Sequence, residues 1–145
     1  MKSVNLTIDD NPVSVPEGTT IMKAAETIGV YIPRLCYVPD LGIEGACRIC
    51  IVEVEGSKNY RVSCATKAEE GMKVKTNSPA IRQARRDLVE LIIDNHPMDC
   101  QTCERDGHCE LQDLAYSMGV RERLFKGERK RFDIEDSGSS VVRNS

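Results

Sequence analysis

Lys2-Ser-Val-Asn-Leu-Thr-Ile-Asp-Asp-Asn-Pro-Val-Ser-Val-Pro-Glu-Gly-Thr-Thr-Ile-Met-Lys-Ala-Ala-Glu-Thr-Ile-Gly29 is the stretch that decides the fold. Val4, Leu6 and Ile8 alternate with polar residues, and so do Val13 and Val15; that period of two belongs to strands with one buried face. Asp9-Asp10-Asn11-Pro12 between them is a turn by composition. Pro16-Glu17-Gly18 ends the second arm. Thr19 or Thr20 then caps a helix whose Ile21, Ala24, Ala25 and Ile28 recur at helical spacing, and Gly29 stands at the left-handed stop. The chain opens with a hairpin followed by a helix packed across it.

Working outward, residues 33–50 are rich in Pro, Gly and Cys and carry no periodicity. A loop of that length calls for a functional reason. Gly42, Gly45 and Ala46 leave room for backbone N–H groups to approach a nearby centre. Residues 49–55 read as a strand, Gly56-Ser57 as a turn, residues 60–63 as a return strand and residues 72–75 as a last short strand. Hairpin, helix and later strands together predict an α+β fold that starts as a β-grasp sheet. Ser78-Pro79 then announces a helix, a cap followed by proline at the first helical position. Its apolar stripe is expected at Ile81, Ala84, Leu88, Leu91 and Ile92, and its polar face at Arg82, Arg85, Arg86 and Glu90, with the end near Asn95. A second short helix carries Leu111, Leu114, Ala115 and Met118 and stops at Gly119. These patterns divide the chain into residues 1–78, β-rich; residues 79–135, helical; and residues 136–145, a linker or the start of a further domain. The basic run Arg121, Arg123, Lys126, Arg129, Lys130 and Arg131 reads as a solvated face or as a docking surface.

The 145 residues hold no Trp and only 4% aromatics, so the core is modest and a bound metal would staple it. A net charge of -3 gives no reason to expect nucleic acid as a partner. The sequence shows no apolar run long enough to span a membrane and no secretory leader, and the expected location is cytoplasmic, without direct membrane insertion. In a reducing compartment the seven cysteines read as metal ligands rather than as disulfides, and an odd number fits a disulfide framework poorly.

All seven lie between residues 36 and 109, in two groups. Cys36, Cys47, Cys50 and Cys64 are spaced C-x10-C-x2-C-x13-C. His96, Cys100, Cys103 and Cys109 are spaced H-x3-C-x2-C-x5-C. Seven thiols and one imidazole fill two four-ligand sites with none left over. One cysteine, then a close pair, then a distant fourth is the order of plant-type 2Fe–2S ligation, although the first gap here is longer. Four thiolates also suit one zinc ion, and Cys₃His is a known zinc set, so a two-zinc structural or interaction protein is the alternative. The spread of the second group suits a 4Fe–4S cluster better than a zinc finger. His96 falls at a helix C-terminus, where a capping role competes with ligation. His108 adjoins Cys109, and adjacent residues rarely turn onto one metal, which favours His96.

The composite of Cys36, Gly45-Ala46-Cys47-Arg48-Ile49-Cys50, Cys64, His96-Pro97-Met98-Asp99-Cys100-Gln101-Thr102-Cys103 and Gly107-His108-Cys109-Glu110-Leu111-Gln112 resembles the N-terminal iron–sulfur region of one oxidoreductase superfamily. Its members include the large Fe–S subunit of NADH-quinone oxidoreductase (complex I), multi-cluster iron-only hydrogenases and NAD-dependent formate dehydrogenases. The resemblance runs to about Val142. It implies a β-grasp 2Fe–2S ferredoxin-like domain holding one 2Fe–2S cluster on the first four cysteines. It implies one 4Fe–4S cluster on His96, Cys100, Cys103 and Cys109 in the helical part. The implied activity is single-electron relay between a flavin/NAD(P)H-oxidising Fe–S subunit and a catalytic hydrogenase or dehydrogenase subunit or domain. The chain is thus expected to be a free-standing small subunit or a fragment of a multi-subunit oxidoreductase, with no catalytic site of its own and no cofactor residues beyond the metal ligands.

Overall fold

The computed structural model describes residues 2–125, 134–135 and 143–144. The hairpin pairs β1 (Ser3–Ile8) with β2 (Asn11–Pro16) in a register that sets Ile8 against Asn11. Only Asp9 and Asp10 turn the corner, with φ of 47° and 66°. That is the mirror-image turn whose twist matches a hairpin, and aspartate is among the few side chains that tolerate it. Val4, Leu6, Ile8, Val13 and Val15 are all buried, as their alternation predicts.

Helix α1 (Ile21–Thr27) follows, with Thr20 as its cap, accepting from the Lys23 N–H at 3.3 Å. The long loop is less irregular than its composition suggests. It holds a small hairpin of β3 (Tyr37–Val38) and β4 (Gly42–Ile43). Next come β5 (Ile51–Val54), β6 (Arg61–Val62) and β7 (Lys73–Lys75). The main sheet has the order β2-β1-β7-β5-β6, with β7 parallel to β1 and the other neighbours antiparallel. A first hairpin joined edge-on to a later strand, with α1 between them in sequence, is the β-grasp arrangement, and the fold is α+β. Ile8, Ile21, Met22, Ile32 and Val52 fill its core together with Cys50 and Cys64.

Helix α2 (Pro79–Asn95) is anchored to the sheet at its start. The Ser78 hydroxyl accepts from the Ile81 N–H at 3.1 Å and donates to Glu53 on β5 at 2.9 Å. Thr76, buried just upstream, donates through its N–H to Asp9 at 2.7 Å and through its hydroxyl to the same carboxylate. The buried row of α2 is Ile81, Arg85, Val89 and Ile93, with Ala84, Leu88 and Ile92 half-buried beside it. This corrects the expected stripe twice. Leu91 is 55% exposed, because two residues along a helix turn it about 200° away from Val89. Arg85, assigned to the polar face, is only 4% exposed, because carbonyls on another element receive it.

A 3₁₀ turn at Cys100–Thr102 leads to α3 (Glu110–Ser117), which ends before Gly119 at φ 71°. Ala115 and Val120 pack with Val89, Ile93 and Ile49 in a second core, joined by half-buried Leu35, Cys47, Leu111 and Leu114. The helical part therefore shares its core with the cysteine loop of the sheet part. Arg123 pairs with Asp94 at 3.3 Å and Arg121 lies over the Tyr116 ring at 4.4 Å, so two members of the basic run fold back onto the helices. Lys126, Arg129, Lys130 and Arg131 lie outside the described residues, as does the linker composition at residues 137–140. Beyond them the backbone of β8 (Ile134–Glu135) pairs antiparallel with β9 (Arg143–Asn144). Among the described residues no helix is long and apolar enough to cross a membrane.

Ser78 serves both the helix cap and the tie to Glu53. Ser78→Ala is expected to lower stability by about 1–2 kcal/mol, a typical cap loss with a part-buried hydrogen bond added. Urea unfolding followed by circular dichroism measures it. Ser78→Asn, which keeps a capping oxygen, should recover most of the loss.

Candidate metal centres

Cys50 and Cys64 are buried in the sheet core, while Cys36 and Cys47 are half-buried on the loop that wraps it. The backbone between the close pair is unusual. Gly45 has φ 62°, and Arg48, between Cys47 and Cys50, has φ 60°. A non-glycine residue in the left-handed region costs about 1 kcal/mol and is retained where the loop path requires it. That path carries the Cys47 N–H to the Cys36 sulfur, 3.5 Å away.

The carbonyls that follow are each received by a side chain from elsewhere in the fold. Ser63, fully buried, donates its hydroxyl to the Cys50 carbonyl at 2.7 Å and its N–H to the same oxygen at 3.1 Å. Arg85 donates Nε–H to the Ile49 carbonyl at 3.0 Å and Nη2–H to the Ile51 carbonyl at 2.7 Å. Cys50 is thereby held from both sides, and Cys64 follows Ser63 directly. Ser63 in turn accepts at its carbonyl from the Met22 N–H at the start of α1.

The four thiols act on one another. Burial pushes the Cys64 thiol up to about 12, helped by its hydrogen bond with Cys50 and by the charges of Cys50, Cys36 and Cys47. Burial also raises the Cys36 thiol, but hydrogen bonds from Cys47 and the Ala46 backbone outweigh it and hold that thiol below its ordinary value. A buried thiol whose ionisation its neighbours oppose, beside one whose ionisation hydrogen bonds favour, suits a cationic centre, which would take all four cysteines as thiolates. Among the described residues no three His, Cys, Asp or Glu side chains close on a single point as one bound ion would require.

The second group surrounds a cavity of about 70 Å³ whose walls include His96, Cys100, Cys103 and Cys109, with Ile93 and Ala115 from the shared core. His96 is the C-cap of α2, its N–H bonded to the Ile93 carbonyl at 3.1 Å. Cys109 is the residue before α3, and its sulfur makes no capping bond, so it is available at the positive end of that helix. The Arg105 N–H lies 3.4 Å from the Cys103 sulfur. Gln112, also on the cavity wall, accepts from the Gly107 N–H at 3.2 Å and donates to Asp106 at 2.8 Å, which fixes the loop between Cys103 and Cys109. His108 is exposed and does not line this cavity. One imidazole and three sulfurs around one apolar-backed hollow fit a cluster with a mixed ligand set.

Sequence reasoning missed Arg85, Ser63 and the conformation of Arg48. A signal for Arg85 was present: Ile81, Val89 and Ile93 stand at intervals of four and eight residues, and Arg85 completes their row. Arg48→Gly should be neutral or stabilise by up to about 1 kcal/mol, since glycine adopts this φ freely, whereas Arg48→Val should destabilise by more than about 1 kcal/mol. Denaturant midpoints of the two variants measure this.

Comparison with known proteins places both groups of residues within iron–sulfur segments. Residues 1–79 match the 2Fe-2S iron-sulfur cluster binding domain, and residues 85–123 match the NADH-ubiquinone oxidoreductase-G iron-sulfur binding region. The chain is 43% identical over 149 residues to NADP-reducing hydrogenase subunit HndD of Solidesulfovibrio fructosivorans, covering 99% of this chain and 26% of that protein. It is 40% identical over 140 residues to the mitochondrial NADH dehydrogenase [ubiquinone] iron-sulfur protein 1 of Solanum tuberosum, covering 97% and 19%. It thus spans about a quarter or less of the curated relatives it matches. A crystal structure of NAD+-reducing [NiFe]-hydrogenase in the H2-reduced state superposes with a TM-score of 0.84 at 34% identity, over 94% of this chain and 57% of that one. The two matched segments give the chain one 2Fe–2S cluster and one 4Fe–4S cluster. Sheet, thiol loop and sequence agree, and the chain belongs to the 2Fe-2S iron-sulfur cluster binding domain family, continued here by the NADH-ubiquinone oxidoreductase-G iron-sulfur binding region.

Proposed function

We propose that the chain relays single electrons through two clusters, with Cys36, Cys47, Cys50 and Cys64 holding the 2Fe–2S centre and His96, Cys100, Cys103 and Cys109 the 4Fe–4S centre. The observation that carries the assignment is the gathering of His96 and three cysteines on the wall of one cavity, away from His108. Bound there, the clusters supply one-electron redox change. The chain's own residues do the rest. Thiolates and one imidazole ligate. Burial of Cys50 and Cys64 keeps water from the first site. Backbone N–H groups at Cys47 and Arg105 reach toward sulfur and stabilise negative charge there.

The partners on this reading are a flavin/NAD(P)H-oxidising Fe–S subunit on one side and a catalytic hydrogenase or dehydrogenase subunit or domain on the other, all parts of one oxidoreductase. Leu41, 82% exposed, with exposed Val38 and Ile43 forms an apolar tip between Cys36 and Cys47 in the chain. Such a tip suits contact with a neighbouring redox subunit.

Anaerobic reconstitution is expected to give two plus four irons per chain with equal acid-labile sulfide, as the two cluster types require. A stable product with two zinc ions and no sulfide would overturn the relay.

Histidine variants test the second ligand set. His96→Cys adds one thiolate charge, so the 4Fe–4S midpoint should fall. His96→Ala should give a labile cluster that degrades toward three irons, and His108→Ala should do neither. EPR-monitored redox titration reads all three. A shifted potential in His108→Ala with an unchanged spectrum in His96→Ala assigns the other histidine.

A further inference from the structure

We infer that the buried guanidinium of Arg85 sets the potential of the 2Fe–2S centre, acting as a fixed positive charge behind Cys50. This rests on the assignment of Cys36, Cys47, Cys50 and Cys64 to that centre. Arg85 is a positioning residue: it bonds the carbonyls of Ile49 and Ile51, the residues on either side of Cys50, at 3.0 and 2.7 Å. It is 4% exposed, so water screens its charge weakly. Its ordinary ionisation lies so high that it stays protonated even though burial lowers it.

Other hydrogen bonds hold Cys50 without adding charge. Ser63 donates twice to the Cys50 carbonyl. At the carbonyls of Ile49 and Ile51 the donor is a cation instead. Burying that cation is costly, and carbonyl partners offset only part of the cost, since neither is an anion. The nearby negative charge comes from the Asp9 carboxylate and from the ligand set itself, four thiolates on the assignment above, and only the ligand set gains charge when the centre is reduced. One-electron reduction adds one negative charge at that site, with no bond made or broken and no proton moved by Arg85. A fixed cation favours the reduced form and raises the midpoint. Arg82 and Arg86, on the same helix but exposed, lie in solvent, where screening removes most of such an effect; Arg82 bonds Asn77 and Arg86 pairs with Glu90.

The test is EPR-monitored redox titration of the reconstituted chain, with dithionite as reductant, on Arg85→Gln, Arg85→Lys, Arg82→Gln and Arg86→Gln. Arg85→Gln keeps a donor and loses the charge; its 2Fe–2S midpoint should shift down while the 4Fe–4S midpoint stays. Arg85→Lys keeps the charge and loses the two-pronged bond, so its midpoint should stay near the unaltered value although its denaturant midpoint falls. The two exposed variants should leave both centres unchanged. An unmoved 2Fe–2S midpoint in Arg85→Gln, or equal shifts in Arg85→Gln and Arg85→Lys, overturns the inference. If Arg85→Gln yields no folded protein, Arg85→Lys decides alone: a midpoint that moves with stability marks a structural role and overturns the charge effect. Absence of any 2Fe–2S signal in the unaltered chain is a different failure, that of the ligand assignment.

Discussion

Arg85 crosses from the middle of α2 into the sheet and takes the carbonyls of Ile49 and Ile51 in its two-pronged grip. Much of the structure depends on this one contact. A buried carbonyl left without a donor costs about 1–3 kcal/mol, and a segment that leads from a loop into a strand cannot place all its carbonyls in a sheet ladder. The close cysteine pair ends where β5 begins, and the Cys50 carbonyl meets the Ser63 N–H just beyond β6. Arg85 and Ser63 supply the missing donors from two sides. The same contact brings α2 against Ile49, and Ile49 becomes the seat of the second core with Val89, Ile93 and Ala115.

That arrangement explains how two cluster sites live on so small an apolar interior. On the proposed assignment the first site lies in the sheet core, where Cys50 and Cys64 count as core residues alongside Ile8 and Val52. On the same proposed assignment the second lies at the far end of α2, where His96 caps the helix and Cys109 stands just before α3. Ile93 and Ala115 belong both to the second core and to the cavity wall. The chain therefore spends few residues on packing alone. It also explains why the cysteine loop tolerates a left-handed Arg48: its strain is held by bonds on either side rather than relieved within the loop.

The ends of α2 show the division of labour between local and distant forces. Its start is fixed by a serine that caps the helix and reaches Glu53, and by Thr76 bonding Asp9 at the hairpin turn. Asp9 thus serves two elements: it adopts the turn conformation and it orients the approach to the helix. The far end is fixed by packing of Ile93 and by the Arg123–Asp94 pair. The line from sheet to second cavity is a rigid helix held at both ends.

What the sequence determined by itself was whatever depends on near neighbours in the chain. Alternation at Val4, Leu6 and Ile8, a cap at Thr19 or Thr20, the Ser78 cap and the spacing of the eight ligand candidates are local facts, and strands, helix starts and grouping of thiols follow from them. The helix row that is buried, the fate of Arg85 and Leu91 and the hairpin inside the cysteine loop were decided only by tertiary structure. A helix pattern tells that one face is apolar within some tens of degrees, and the partner surface chooses the row. Arg85 looks polar to any local rule. Its burial depends on two carbonyls 34 and 36 residues away in the chain, and only folding brings those into reach.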